Sequence, residues 1–322
     1  MFKKLKFRPF PGTSSFHLQM ILSQFALNGK APASETVSID LKDGDKLACE
    51  ISCHESIDVN TPTVVLVHGL GGSSQSGYLI RLSRKFHIRG YRTVRVNLRG
   101  SLSGMGVSSR PYNAGTSDDL FEVLKYVKQQ YPDSPLILIG FSLGGNISIK
   151  LAGELGEQAQ NYIDYMITVG TTIDLYHSIE CISKISNWLY HRYYLWYLLQ
   201  QSEEWLPKEP ICSLYEFDDL VTAPHWGYRN AMHYYETCSS CHYMNKVLVP
   251  ARFLFAEDDP FIDYELLLNI KIPANVSVYL TEKGGHMGYF GWAGKEHGFN
   301  WLDRLLLEWV QEIYPVRSKN AY

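Results

Sequence analysis

The sequence has no surplus of either charge. Its 322 residues include 30 lysines and arginines against 33 aspartates and glutamates, which gives a formal net charge of -3. Proteins that bind nucleic acid or anionic lipid usually carry a basic surplus that neutralises phosphate groups. We therefore expect no nucleic-acid partner, and we look for a small-molecule substrate instead.

Cysteine is also scarce. Six cysteines in 322 residues are too few for the disulfide framework of a small secreted protein. Cys238 and Cys241 form a CxxC pair, but a structural zinc site needs a second matched pair, and Cys49 and Cys53 have the wrong spacing. No HExxH motif is present. The sequence predicts free or buried thiols in a reducing compartment, with no metal site and no cofactor.

A long apolar run is missing as well. Lys3, Lys4 and Lys6 precede a partly apolar stretch at 16–27, and the segment 31–33 (Ala-Pro-Ala) resembles a signal-peptidase site. Polar side chains interrupt that stretch, and nothing in the chain reaches the roughly 18 apolar residues of a membrane span. We expect no integral membrane span and a cytoplasmic location.

Short apolar runs alternate with segments of helical spacing. Asp43-Gly44-Asp45 is a hairpin turn between the first two runs, and the segment 118–131 carries apolar residues on one helical face. The alternation predicts an α/β protein whose sheet is mostly parallel and doubly wound, begins with an antiparallel hairpin and has about eight strands. The expected strands are 36–41, 46–52, 64–67, 93–96, 136–139, 166–169, 252–255 and 276–280.

The alternation stops between residues 171 and 246, where the chain is rich in tyrosine, tryptophan and histidine. We predict that this stretch is a helical cap inserted into a core of residues 36–170 and 247–322, behind an N-terminal arm of residues 1–35. Its segment Ile185 to Leu199 is aromatic on nearly every helical face. That helix could line a site for an apolar group, pack into the core or lie on a membrane surface.

The strongest chemical motif is Gly140-Phe141-Ser142-Leu143-Gly144. It follows an expected strand and precedes a helical stretch that begins near Asn146. A serine on so sharp a strand-to-helix turn is strained and crowded, so glycine on both sides meets a steric requirement. This context predicts a nucleophile elbow, with Ser142 as the nucleophile.

A serine nucleophile needs a base, and the base needs a carboxylate that fixes its tautomer. In a sheet of this kind both should lie on later loops at the carboxyl ends of strands, in the order serine, acid, histidine. His286 stands among glycines after the last expected strand. Asp259, just before Pro260, lies furthest into the preceding loop and is our predicted acid, with Asp258 as the alternative.

The negative oxygen of a tetrahedral intermediate needs backbone donors. One donor should be the amide of Leu143, directly after the nucleophile. The other should be the amide of Leu70 in the glycine-rich loop 68–72, which follows the first parallel strand. A phosphate-binding role for this loop is disfavoured because it lacks a Gly-Lys-Ser/Thr or GxGxxG pattern.

Several further motifs lie along the chain, at 16–19 (FHLQ), 68–72 (HGLGG), 97–100 (NLRG), 112–120 (YNAGTSDDL), 216–224 (EFDDLVTAP), 227–228 (GY) and 234–235 (YY). With these motifs the sequence resembles the YheT-like branch of the α/β-hydrolases, bacterial esterases related to eukaryotic hydrolases that include phospholipases. The departures are small: Met20 stands where the family usually has threonine, and His225-Trp226 replaces a Leu-His pair. The resemblance implies the α/β-hydrolase fold, esterase activity and the triad Ser142, Asp259 and His286.

Three functions fit these residues. The first is a carboxylic ester hydrolase (EC 3.1.1.-) that acts on short- to medium-chain acyl esters or lipids through an acyl-enzyme. The second is an acyltransferase that passes the same acyl group to an alcohol or thiol. The third is a ligand-binding protein that uses the scaffold without catalysis, which is disfavoured because the serine, acid and histidine are all present. We further expect Arg99 and Asp119 to pair and to order the loop after the second parallel strand.

Overall fold

The computed structural model describes residues 2–25, 29–54, 57–101 and 108–316. They form one nine-stranded sheet in the order β1-β9-β8-β7-β6-β4-β5-β3-β2, in which β2 and β3 are antiparallel to their neighbours and all other pairs are parallel. The strands are β1 (Phe2–Lys4), β2 (Glu35–Asp40), β3 (Lys46–Ser52), β4 (Thr63–Val67), β5 (Arg92–Val96), β6 (Leu136–Phe141), β7 (Tyr165–Val169), β8 (Ala251–Ala256) and β9 (Val276–Thr281).

Helices cover both faces of the sheet, as predicted. Two separate groups of buried apolar side chains lie above and below it, one beneath α3 and α4 and the other beneath α2 and α10. The strands β4 and β6 at the centre are buried along their whole length. The helices are α1 (Phe16–Phe25), α2 (Gly77–Ile88), α3 (Ser117–Gln130), α4 (Leu143–Leu155), α5 (Leu175–Ser183), α6 (Trp188–Gln201), α7 (Leu214–Phe217), α8 (Ala223–His225), α9 (Ala231–Cys238) and α10 (Trp301–Ile313).

The ninth strand lies in the N-terminal arm. β1 pairs in parallel with β9, and the amide of Leu5 extends the pairing to the carbonyl of Leu280 at 2.7 Å. This strand was not among the roughly eight that the sequence predicts, because Phe-Lys-Lys is short and charged. Such a sequence is typical of an edge strand, which has solvent instead of a neighbouring strand on one side. The arm therefore completes the sheet, and its residues 26–28 lie outside the described ranges. The division into arm, core and cap stays a prediction.

Between β7 and β8 the chain is helical. α7 continues through a π-helical turn (Asp218–Thr222) into α8, and α9 follows. In α6, Leu195 and Leu198 are buried, whereas Trp188, Leu189 and Trp196 are exposed. One face of this helix thus packs inward while the other carries large apolar side chains at the surface. Within the described residues, no helix has the length and apolarity that a membrane crossing requires.

Candidate active site

The nucleophile elbow is a sharp turn between β6 and α4. Ser142 has φ of 50°, a conformation that costs a non-glycine residue about 1–3 kcal/mol. A Cβ on Gly144 would lie 2.5 Å from the carbonyl oxygens of Val67 and His68, and a Cβ on Gly140 would lie 2.6 Å from the oxygen of Gly144. The two glycines therefore let α4 begin against β4, immediately at Leu143 rather than near Asn146.

His286 reaches Ser142 from the loop after β9. Its Nε2 lies 2.8 Å from the Ser142 Oγ, although the two residues are 144 positions apart in the chain. The ring of Phe261 packs against the imidazole with a centroid separation of 5.0 Å, and the histidine side chain is only 6% exposed. The imidazole is thus held in one orientation, within reach of the hydroxyl proton.

The loop after β8 offers two carboxylates, and they have different partners. Asp259 Oδ2 lies 2.9 Å from His286 Nδ1, and its Oδ1 accepts the amides of Phe261 and Ile262 at 2.9 and 3.2 Å. Asp258 instead accepts the amide of Gly285 at 2.9 Å. Burial raises the pKa of Asp258, with the Gly285 amide opposing this shift. Asp259 therefore orients the imidazole, and Asp258 holds the backbone next to it.

Two backbone amides are available for a developing oxyanion. Leu143 and Leu70 line the cavity that also contains Ser142 and His286. Within the described part of the chain, neither amide donates a hydrogen bond, since Leu143 is the first residue of α4 and Leu70 lies in a turn closed by the Gly72 amide and the Gly69 carbonyl at 3.1 Å. The assignment of these two amides to an oxyanion hole stays a prediction.

The cavity above Ser142 has a volume of about 600 Å³ including its mouth. Its walls are mainly apolar and come from the cap, with contributions from the loops after β4 and β8. α6 contributes Tyr194 and Leu198 to these walls, so its inward face lines the cavity. The other apolar lining residues are Leu175, Ile179, Ile182, Leu214, Phe261 and Ile262.

The architecture matches known proteins. A family model described as the alpha/beta hydrolase fold matches residues 62–199. Among solved structures, the esterase Pf2001 of Pyrococcus furiosus superposes with a TM-score of 0.58 at 17% identity, covering 87% of this chain and 92% of that one. This chain has the α/β-hydrolase fold.

The resemblance to YheT-like α/β-hydrolases is confirmed by curated relatives. YheT of Escherichia coli (strain K12), whose name assigns it provisionally to the esterases, is 28% identical over 97% of this chain and 95% of its own length. Phospholipase ABHD3 of Mus musculus is 29% identical over 80% of this chain and 65% of its own length. The similarity to YheT therefore spans nearly the whole of this chain.

His68 has a supporting role that the sequence did not reveal. The amide of Leu98 donates to His68 Nε2 at 3.1 Å, which leaves Nδ1–H to donate to the carbonyl of Gly69 at 2.7 Å. Burial lowers the pKa of His68 to about 4, so the ring is neutral at physiological pH. A neutral imidazole thus fixes the loop that carries Leu70, and the only sequence signal was its place at the start of HGLGG.

The N-terminal arm supports the histidine loop, which sequence analysis also missed. Gln19 is fully buried. Its Oε1 accepts the amide of Phe290 at 2.6 Å, and its Nε2 donates to the carbonyls of Phe290 and Thr13 at 3.2 and 2.7 Å. A single side chain therefore ties α1 to the segment that follows His286, across 271 positions of sequence.

Arg99 and Asp119 pair as expected. Arg99 Nε and Nη2 donate to the two carboxylate oxygens of Asp119 at 2.6 and 2.9 Å, and Asp43 and Asp45 complete a cluster around the same guanidinium, which is 3% exposed. Burial raises the pKa of Asp119, although the contact with Arg99 opposes that shift. The cluster joins the β2–β3 hairpin to the start of α3 and does not line the cavity.

The cysteines are unpaired. Cys238 is buried with its Sγ 3.1 Å from the hydroxyl of Tyr228, and Cys241 is half-buried. Burial raises the pKa of both thiols to about 11. Among the residues that the structure describes, no group of three or more histidine, cysteine or acidic side chains is arranged to hold a metal ion.

Proposed function

We propose that this protein is a serine hydrolase that cleaves carboxylic esters through an acyl-enzyme intermediate. The supporting observation is a continuous line of hydrogen bonds from Asp259 through His286 to Ser142, which ends at the mouth of an apolar cavity. At the level of class the chain is a carboxylic ester hydrolase, as predicted, since its relatives carry esterase and phospholipase names.

The reaction follows from the positions of these groups. His286 Nε2 takes the Ser142 proton while Oγ attacks the ester carbonyl, and Asp259 stabilises the imidazolium that forms. The carbonyl oxygen becomes negative and is stabilised by the amides of Leu70 and Leu143. His286 then gives its proton to the departing alcohol. Water, deprotonated by the same imidazole, releases the acid and restores Ser142.

The cavity limits the substrate. Its apolar walls favour an aliphatic group, which supports short- to medium-chain acyl esters or lipids as the substrates. A cytoplasmic location remains part of this proposal and is supported by the low number of cysteines, all of them unpaired.

The test is replacement of the nucleophile. Ser142→Ala should lower hydrolysis of p-nitrophenyl butyrate by about 10⁴-fold or more, because nothing else in the site can form the acyl-enzyme. A fluorophosphonate probe should label the wild type and not this variant. Ser148→Ala is the matched control, since Ser148 lies in the same helix, donates to the carbonyl of Gly144 at 2.7 Å and does not line the cavity.

The outcomes separate the three functions. Retained activity in Ser142→Ala would refute the nucleophile assignment, and folded wild-type protein that takes up no probe would favour a binding role. Product analysis with a competing alcohol distinguishes hydrolysis from acyl transfer. We expect the free acid to be the main product, and an ester that dominates at low alcohol concentration would identify a transferase.

A further inference from the structure

One wall of the cavity carries an acid that the reaction does not use. Asp218 lines the cavity together with Ser142 and is 5% exposed. It is the first residue of the π-helical turn between α7 and α8. Such turns are rare and occur often at functional sites. Its carboxylate accepts the hydroxyls of Thr222 and Tyr235, each at 2.8 Å.

This carboxylate has no positive partner. Among the described residues, no lysine or arginine lines the cavity and no ion pair involves Asp218. Its two hydrogen-bond donors are neutral, and burial raises its pKa to about 6. Acidic side chains are seldom buried in proteins without a cation. Each oxygen of the Asp218 carboxylate therefore accepts one neutral hydroxyl, and no cation balances its charge within the described residues.

Aromatic rings surround the same position. Tyr112, Tyr234 and Tyr235 line the cavity beside Asp218, and the last two have ring centroids 5.3 Å apart. The Tyr235 hydroxyl donates to Asp218, and the Tyr234 hydroxyl accepts the amide of Ala114 at 2.7 Å. Electron-rich faces of tyrosine attract an ammonium group, more strongly when water is excluded.

We propose that Asp218 and these tyrosines form a subsite for a positively charged group of the substrate, an amine or a quaternary ammonium on the ester. The subsite rests on the proposed function, because it assigns a substrate class to the same cavity. It brings together a carboxylate and three tyrosine rings, the combination that recognises an ammonium ion in a desolvated site.

The test compares two esters of the same shape. Butyrylcholine carries a trimethylammonium group, and 3,3-dimethylbutyl butyrate is its neutral isostere. We expect kcat/KM of the wild type to favour butyrylcholine by at least about tenfold. Asp218→Asn should reduce this ratio by about tenfold, toward one. Asp219→Asn is the control, because Asp219 accepts the amide of Ala231 at 2.8 Å and does not line the cavity, so its ratio should match the wild type.

The pH dependence of the wild-type ratio needs no variant. Tyr112, Tyr234, Tyr235 and Cys238 act on the Asp218 carboxyl, and burial raises the pKa of each, to about 11 for Cys238. These four groups stay neutral near pH 6. Protonation of the catalytic base His286 slows the hydrolysis of both esters equally, so it cancels in the ratio of their kcat/KM values. The preference should therefore fall as pH drops below about 6, where Asp218 becomes protonated.

A ratio near one in the wild type, or a ratio that neither Asp218→Asn nor acid pH lowers, would overturn the subsite. If p-nitrophenyl butyrate is still hydrolysed, the proposed function stands and only the cation site falls. If the wild type hydrolyses no ester, thermal unfolding with choline decides. Stabilisation of the wild type by choline, absent with 3,3-dimethylbutan-1-ol and in Asp218→Asn, supports the subsite, and equal melting temperatures refute it.

Discussion

Asp258 and Asp259 are neighbours in sequence with the same charge, so exchanging each for asparagine separates their roles. In Asp259→Asn the amide faces His286 Nδ1, which is 2.9 Å from the carboxylate in the wild type. The asparagine oxygen can still accept the amides of Phe261 and Ile262, so the loop should keep its shape. An NH₂ group facing Nδ1 favours the tautomer with the proton on Nε2, and that nitrogen can no longer accept the Ser142 proton.

The size of the effect follows from what each variant removes. Loss of the orienting carboxylate with preserved geometry costs about 10⁴ in kcat, equivalent to about 5.5 kcal/mol of transition-state stabilisation. Asp258→Asn keeps an oxygen for the amide of Gly285 and exchanges a charged acceptor for a neutral one. That exchange costs about 1 kcal/mol, so activity should stay within about tenfold of the wild type.

Steady-state hydrolysis of p-nitrophenyl butyrate by both variants provides the measurement, with thermal unfolding as the check that each is folded. Because burial already raises the pKa of Asp258, removal of its charge offsets the weaker hydrogen bond to Gly285, and stability at neutral pH should stay within about 1 kcal/mol of the wild type. Two folded variants with equal losses, or a larger loss in Asp258→Asn, would show that Asp259 is not the acid of the triad.

Three further predictions concern stability and support. Arg99→Met should lower the free energy of unfolding by about 3–5 kcal/mol in chemical denaturation, because it leaves the buried Asp119 carboxylate without its cation; a loss below about 1 kcal/mol would contradict this. Gln19→Ala should leave the amide of Phe290 unpaired, while the Phe290 carbonyl keeps the amide of Phe10 at 3.1 Å, and should cost about 1–3 kcal/mol, with a fall in kcat that Gln19→Glu only partly restores; unchanged kcat would separate the arm from the site. Asp218→Asn should stabilise the protein by up to about 3 kcal/mol at pH 8 and by about half as much at pH 5, because a pKa raised from 3.8 to about 6 gives stability that is complete below pH 3.8 and is lost as pH rises to 6; equal effects at both pH values would refute it.

Sequence reasoning was most successful where the requirement is local. The GxSxG motif lies between a strand and a helix, and the collisions that a Cβ would meet at Gly140 and Gly144 involve backbone atoms of the elbow and of β4. Steric rules of this kind can be read from a few adjacent residues. The choice of Asp259 over Asp258 rested on its place before Pro260, furthest into the loop, and its carboxylate lies 2.9 Å from His286 Nδ1.

Prediction from the sequence was weakest for contacts between residues that are far apart in the chain and belong to no recognisable motif. β1 consists of three residues, two of them lysines, and only its pairing with β9 shows that it belongs to the sheet. Gln19 looked like a polar interruption of an apolar stretch, yet it is fully buried against Phe290. The spacing of apolar residues predicts neither contact, because both depend on where the N-terminal arm packs against the folded sheet and its loops.

The cap presents the same difficulty in a different form. An aromatic helix such as α6 has no dominant face, so its sequence fitted a cavity wall and a core helix about equally, and a membrane-surface helix less well because few positive charges lie there. Asp218 was visible only as part of a family motif, with no sign that it faces a cavity. The core of this fold must position three groups for one reaction, which constrains its residues to a few motifs. The residues between β7 and β8 must only suit a substrate, so their role can be inferred once the walls of the cavity are known. In those walls, Asp218, an acid without a cation, is the feature that most restricts which substrates can bind.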